Sequence, residues 1–138
     1  MKIENERLLT ERFGKWPSFH DAEIVRACFE RGDSGAALLD CDFYVFEMTK
    51  EIDEKGFFVL AKKSLATIRF FDIVLEYFDG WNCQNVLSGL IISDTEAVDP
   101  DPFSYRPIEV VFHSSYGCGA KFYCRTITVI KVLDYNQN

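Results

Sequence analysis

The chain has 138 residues, 48% of them apolar and 15% aromatic, with 13 Phe against only 4 Pro and 8 Gly. That size and composition fit one domain spanning residues 1 to 138 with a core of its own, and they argue against disorder. Fifteen basic and 22 acidic side chains leave a net charge of −7. Such a surface repels the phosphates of nucleic acid and of anionic membranes, so neither is expected as a partner.

Five cysteines, Cys28, Cys41, Cys83, Cys118 and Cys124, form no C-x-x-C pair and share no metal-ligand spacing with His20 and His113. No cofactor or metal is expected. An odd thiol count without a signal peptide predicts reduced cysteines and a cytoplasmic location. The opening residues Met-Lys-Ile-Glu-Asn-Glu-Arg are too charged for a secretory segment. The longest uncharged run, Gly80 to Ser93, is 14 residues, where a membrane helix needs about 18 or more.

In chain order, residues 4 to 13 predict a short helix, with Leu9 and Phe13 four apart and Gly14 as a stop. Trp16-Pro17-Ser18-Phe19-His20-Asp21 reads as a rigid, packed turn in which Trp16 and Phe19 hold His20. Ala22 to Arg31 alternates imperfectly as a strand, and Gly32-Asp33-Ser34-Gly35 reads as a hairpin turn. From Ala36 to Met48 the alternation is clean: Ala37, Leu39, Cys41, Phe43 and Val45 share one face, Asp40, Asp42 and Tyr44 the other. Thr49 to Gly56 reads as a charged loop, and Phe57 to Ala61 begins another strand.

Leu65 to Gly80 is the richest β-forming stretch. Ala66, Ile68 and Phe70 alternate with Thr67 and Arg69, Asp72 interrupts, and Ile73, Leu75 and Tyr77 resume. Two strands, or one strand bent by a bulge near Asp72, are expected; charges at Arg69, Asp72, Glu76 and Asp79 keep a helix as the alternative. Val86 to Ile92 follows as an apolar strand, then an acidic, proline-containing surface loop from Asp94 to Pro107. Ile108 to His113 and Cys118 to Arg125 form a hairpin around Ser114-Ser115-Tyr116-Gly117, and Ile127 to Val132 makes a last strand. The pattern predicts a mostly β fold, two packed antiparallel sheets (a β-sandwich) with one short N-terminal helix; a mixed α+β layer is the alternative. Ile127 to Val132, if an exposed edge, offers a route to a homodimer.

Candidate chemistry is sparse. His20 beside Asp21 has the makings of an oriented general base, but no serine elbow or glycine-rich oxyanion motif accompanies it. His113 and Cys118 flank a four-residue turn, which as a cross-strand pair would set their Cβ atoms ~5 Å apart, within reach of a nucleophile pair. A hairpin tip, however, gives such a pair no walls. These two arrangements define the enzyme alternative, a small hydrolase-like protein. Asp40 and Asp42 are expected on a solvated face. The acidic residues Asp94, Glu96, Asp99 and Asp101 lack calcium-loop spacing and are candidates for contact with a basic partner. Arg31-Gly32-Asp33-Ser34 matches an integrin-recognition tetrapeptide, a chance match in an intracellular hairpin. A pocket between the sheets, lined by Phe, would make a small-ligand binder.

Trp16-Pro17-Ser18-Phe19-His20-Asp21-Ala22-Glu23, Phe70-Phe71-Asp72-Ile73, Gly80-Trp81-Asn82 and Ser114-Ser115-Tyr116-Gly117 together resemble the immunity protein 50-like family and uncharacterised relatives found beside polymorphic toxins. The resemblance spans about Phe13 to Val132. It implies a cytoplasmic, non-catalytic binding module that blocks a cognate toxin, one with a basic surface if charge guides the encounter. It carries no catalytic residue over.

Overall fold

The computed structural model describes residues 2–95 and 105–136. A single helix, α1 (Arg7–Phe13), precedes eight strands: β1 (Glu23–Arg31), β2 (Ala37–Ile52), β3 (Phe58–Phe71), β4 (Val74–Asp79), β5 (Val86–Asp94), β6 (Ile108–Tyr116), β7 (Gly119–Cys124) and β8 (Thr126–Asp134). The helix stops at Gly14, whose φ of 80° is left-handed. Leu65 to Phe71 is extended, so the helical alternative for that stretch falls away. The charged loop expected from Thr49 to Gly56 is largely paired chain, since β2 runs to Ile52 and Ile52 faces Phe58 of β3.

All eight strands belong to one antiparallel sheet in the order β4-β7-β6-β5-β1-β2-β3-β8, open at β4 and β8. The expectation of two packed sheets is therefore corrected to one. What merges them is a narrow seam. Glu23 of β1 pairs with Val86 of β5, Ile24 N donates to Asn85 O at 2.8 Å, and Leu87 N donates to Ala22 O at 2.8 Å. Side-chain alternation reports which face of a strand is buried, not which edges meet, so this seam leaves no mark in the sequence.

The sheet curls on itself. β3 and β6 stand four places apart in the order, about 19 Å in a flat sheet at about 4.8 Å per strand. Yet the ring centroids of Phe70 on β3 and Phe112 on β6 are only 5.9 Å apart. Phe112 also meets Phe43 of β2 at 5.8 Å, and Phe122 of β7 meets Phe70 at 5.1 Å, both edge to face. These rings are fully buried with Leu39, Ile68, Val110 and Ile127 around them. Each buried Phe contributes ~2–3 kcal/mol by leaving water. Edge-to-face contacts add about 0.5–1.5 kcal/mol per pair.

The curl needs a corner, and residue 72 supplies it. β3 and β4 are consecutive, as are β7 and β8, and the four pair as one long ribbon: Phe71 faces Thr126 and Val74 faces Tyr123. Between them Asp72 adopts φ 58°, a left-handed conformation that non-glycine residues rarely take. Its carboxylate accepts from Arg106 Nη2 at 2.9 Å and from Arg125 Nε at 2.8 Å, and its carbonyl accepts from Arg106 Nε at 3.2 Å. Burial alone would raise this carboxyl, but the hydrogen bonds and charges of Arg125 and Arg106 outweigh it and hold it below the ordinary aspartate value.

The edge at β8 is not bare. Glu4 N donates to Ile127 O and Val129 N donates to Glu4 O, each at 2.9 Å, and Thr128 Oγ1 donates to Glu4 Oε2 at 2.9 Å. The N-terminal segment thus covers the first half of this edge.

Replacing Asp72 with Asn should cost about 2–4 kcal/mol in urea unfolding at pH 7, because two guanidinium groups lose their carboxylate. A carboxyl held below its unfolded value stabilises the fold above about pH 4 and stops doing so as the pH falls through its lowered folded value. The gap between wild type and Asp72→Asn should therefore narrow only below about pH 4.

Candidate partner-binding surface

The turn from Trp16 to Ala22 is built to deliver one ring. Phe19 and Asp21 take left-handed φ values of 59° and 65°, each costing on the order of 1 kcal/mol. Ala22 N closes the turn on Phe19 O at 3.1 Å, and Asp21 N donates to Leu87 O at 2.9 Å. Phe19 is thereby buried, 5.6 Å from Trp16 and 5.4 Å from Phe43. His20, expected to be held by these aromatics, faces outward instead with its side chain 67% exposed. The ring space at the core is taken by Phe19. His20 N donates to Ser18 Oγ at 3.2 Å, and His20 Nδ1 lies 3.2 Å from Asp21 Oδ2. The pair is adjacent but wet.

The hairpin that was to join His113 with Cys118 separates them. β6 continues to Tyr116, which pairs with Val86, and Phe112 faces Ala120 across the hairpin. This register puts Phe112 inward and His113 outward. Cys118 is wholly buried. Burial, with Asp79 nearby, pushes its thiol up to about 11, and Cys124, buried and near Asp72, is pushed up to about 12. A thiol so disfavoured as thiolate is a poor nucleophile.

Asp40 and Asp42 are not solvated as expected. Arg69 grips Asp40 with two bonds of 2.8 and 2.9 Å, and Asp42 accepts from Thr67 Oγ1 at 2.6 Å with Arg26 at 3.8 Å. Neighbouring strands supply these partners through the register Asp40–Arg69 and Asp42–Thr67, which a single strand read alone cannot show. Of the acidic segment proposed for contact with a basic partner, Asp94 ends β5 opposite Ile108. Glu96, Asp99 and Asp101 lie outside the described residues.

Two stretches far apart in sequence, Gly80-Trp81-Asn82 and Ser114 to Gly117, converge on Asn85. Its buried side chain accepts from Asn82 N at 2.9 Å and Cys118 N at 3.0 Å, and donates to Asn82 O at 3.0 Å. Gly117, at φ 79°, passes so close that a Cβ would stand 2.5 Å from Gln84 O. Beside this junction Trp81 stacks on Phe78 at 6.4 Å, and Phe29 meets Phe78 edge to face at 5.1 Å. Phe29 and Trp81 remain nearly half exposed. Sequence reading missed this ladder because its rings come from β1, β4 and the turn after it.

Among the described residues no group of three or more His, Cys, Asp or Glu is placed to hold a metal. No helix among them is long and apolar enough to cross a membrane. What the surface does offer is exposed aromatic and aliphatic area, the raw material of protein recognition.

A family model described as Immunity protein 50 matches residues 5–135, so the chain belongs to that family. No curated protein and no solved structure matches it.

Gly117→Ala should destabilise the fold by about 2–4 kcal/mol, through left-handed strain and a clash with backbone that cannot move aside, read as a lowered urea midpoint. Alkylation of the folded protein with iodoacetamide near pH 8 should label exposed Cys83 fastest and half-buried Cys28 more slowly. Cys41, Cys118 and Cys124 should react only after unfolding, as peptide mass mapping would show.

Proposed function

We propose that this member of the Immunity protein 50 family is a cytoplasmic, non-catalytic antitoxin that neutralises one cognate toxin by direct binding. The observation that carries this reading is the family match across nearly the whole chain. A blocking protein needs no turnover. It needs a surface of about 800 Å² per partner, roughly a tenth of the 8354 Å² exposed by the described residues, and a fast encounter.

The charge of −7 suits a basic toxin. Opposite charge steers the two proteins together and raises the association rate, most strongly at low salt. Asp94, Glu96, Asp99 and Asp101 are the proposed acidic rim of that encounter.

The test is co-expression of the tagged chain with the toxin encoded beside it. A one-to-one complex should survive gel filtration, and cells should tolerate the toxin only when the chain is present. Association measured in stopped flow should slow at least tenfold between about 50 mM and 500 mM salt, while dissociation changes little. Absence of any complex would sink the reading; a salt-independent rate would remove the steering.

A further inference from the structure

We propose that the far end of the β2–β3 hairpin, residues 46 to 63, is a docking arm that inserts its apolar tip into an apolar-walled cleft of the cognate toxin. This deepens the toxin-neutralising reading and rests on it.

The arm projects beyond the buried core, and its base meets the body where Tyr135 N donates to Lys63 O at 3.0 Å and Met48 borders a groove with Phe13 and Pro17. Val45 and Ser64 are buried, and no residue between them is. Seven residues of extended chain from Phe46 to Ile52 reach about 20 Å. A register shift between Val45 and Glu47 re-aims the ribbon at its base, where Lys62 takes φ 54°. The base is pinned. Ser64 Oγ donates to Lys62 O at 2.6 Å and accepts from Arg12 Nε, and Lys62 pairs with Glu47 at 3.0 Å.

The tip carries what a body would normally hide. Met48, Ile52, Phe57 and Phe58 are 50%, 63%, 68% and 53% exposed. None serves the core, and large apolar side chains of this kind anchor protein interfaces.

Charge selects the occupant. Lys50, Lys55, Lys62 and Lys63 balance Glu47, Glu51, Asp53 and Glu54, so the arm is neutral while the chain carries −7. A neutral arm is not repelled by a basic rim or by an acidic one, and its exposed Phe57 and Phe58 gain by leaving water. The acidic remainder then faces the basic surface around that cleft. A second copy of the chain would bring two bodies of −7 together, and an anionic lipid surface would be repelled likewise.

The test compares full-length wild type, the double variant Phe57→Ser with Phe58→Ser, and Trp81→Ser as the rival aromatic surface, each against the toxin encoded beside this chain. Because Phe57 and Phe58 are exposed and outside the core, the double variant should keep the wild-type urea midpoint. Its Kd should weaken at least about thirtyfold, mainly through faster dissociation, with Trp81→Ser near wild type. Binding of the double variant within about twofold of wild type would overturn the arm and leave the toxin reading standing. Failure of wild type to bind would overturn both. A wild-type dimer in sedimentation that dissociates in the double variant would assign the arm to a second copy instead, and overturn the proposal.

Discussion

The bend that curls the open sheet over its own core is held at one carboxylate. Asp72 sits where the ribbon of β3–β4 against β7–β8 leaves one half of the sheet for the other. Its left-handed backbone opposes the extended preference of the β-branched and aromatic residues around it. Arg106 and Arg125 hold that conformation from two other segments. Arg125 N also donates to Phe71 O at 3.0 Å, so backbone and side chain lock the same turn. The corner and the contacts of Phe70 with Phe112 and Phe122 therefore support each other. The aromatic core is the larger energy, and the corner is where the ribbon turns so that its two sides come face to face.

Much of this was legible because burial imposes a period of two. Of Ala37, Leu39, Cys41, Phe43 and Val45, assigned to one apolar face from alternation, the last four are buried; Ala37 at the strand's start is exposed, and Tyr44, assigned to the other face, is buried as well. The interruption at Asp72 was visible as a charge set between Phe70-Phe71 and Ile73-Val74. Its two arginines were not, since each lies more than thirty residues away. The same limit explains the seam of β1 with β5, the gripping of Asp40 by Arg69, and the covering of β8 by Glu4. All are long-range pairings between edges or faces that no local pattern encodes. His113 and Cys118 failed for a subtler reason. The turn was placed one step early, and a small shift of register in a strand exchanges the inner face for the outer.

Several of the residues through which the family resemblance was read have a place in the folding of the chain. Phe19 plugs the core from a strained turn, Asp72 makes the corner, and Gly117 and Gly80-Trp81-Asn82 meet around Asn85. Buried polar groups that are fully hydrogen-bonded specify one geometry, because any other leaves them unpaired in a low dielectric. Such residues identify the fold without describing what it binds. Recognition has to be sought where folding makes no demand, which directs attention to exposed rings and to β2 beyond Val45.

A projecting two-stranded ribbon is marginal on its own, so its persistence needs a cause. Here β2 and β3 enter the arm already paired by the body, and the tip is fastened locally. Asp53 Oδ1 accepts from Lys55 N at 2.9 Å and Phe57 N at 3.0 Å, and Thr49 Oγ1 donates to Val59 O at 2.7 Å. Chain entropy is therefore lost on folding rather than on binding, and a pre-ordered tip keeps more of its contact energy as affinity. The two properties of this surface then divide the kinetics between them. On the proposed reading, long-range acidity would act before contact, on the rate of encounter, and the apolar tip after contact, on the rate of escape. A toxin inhibitor needs both, because toxin must be captured early and not released while it can still act.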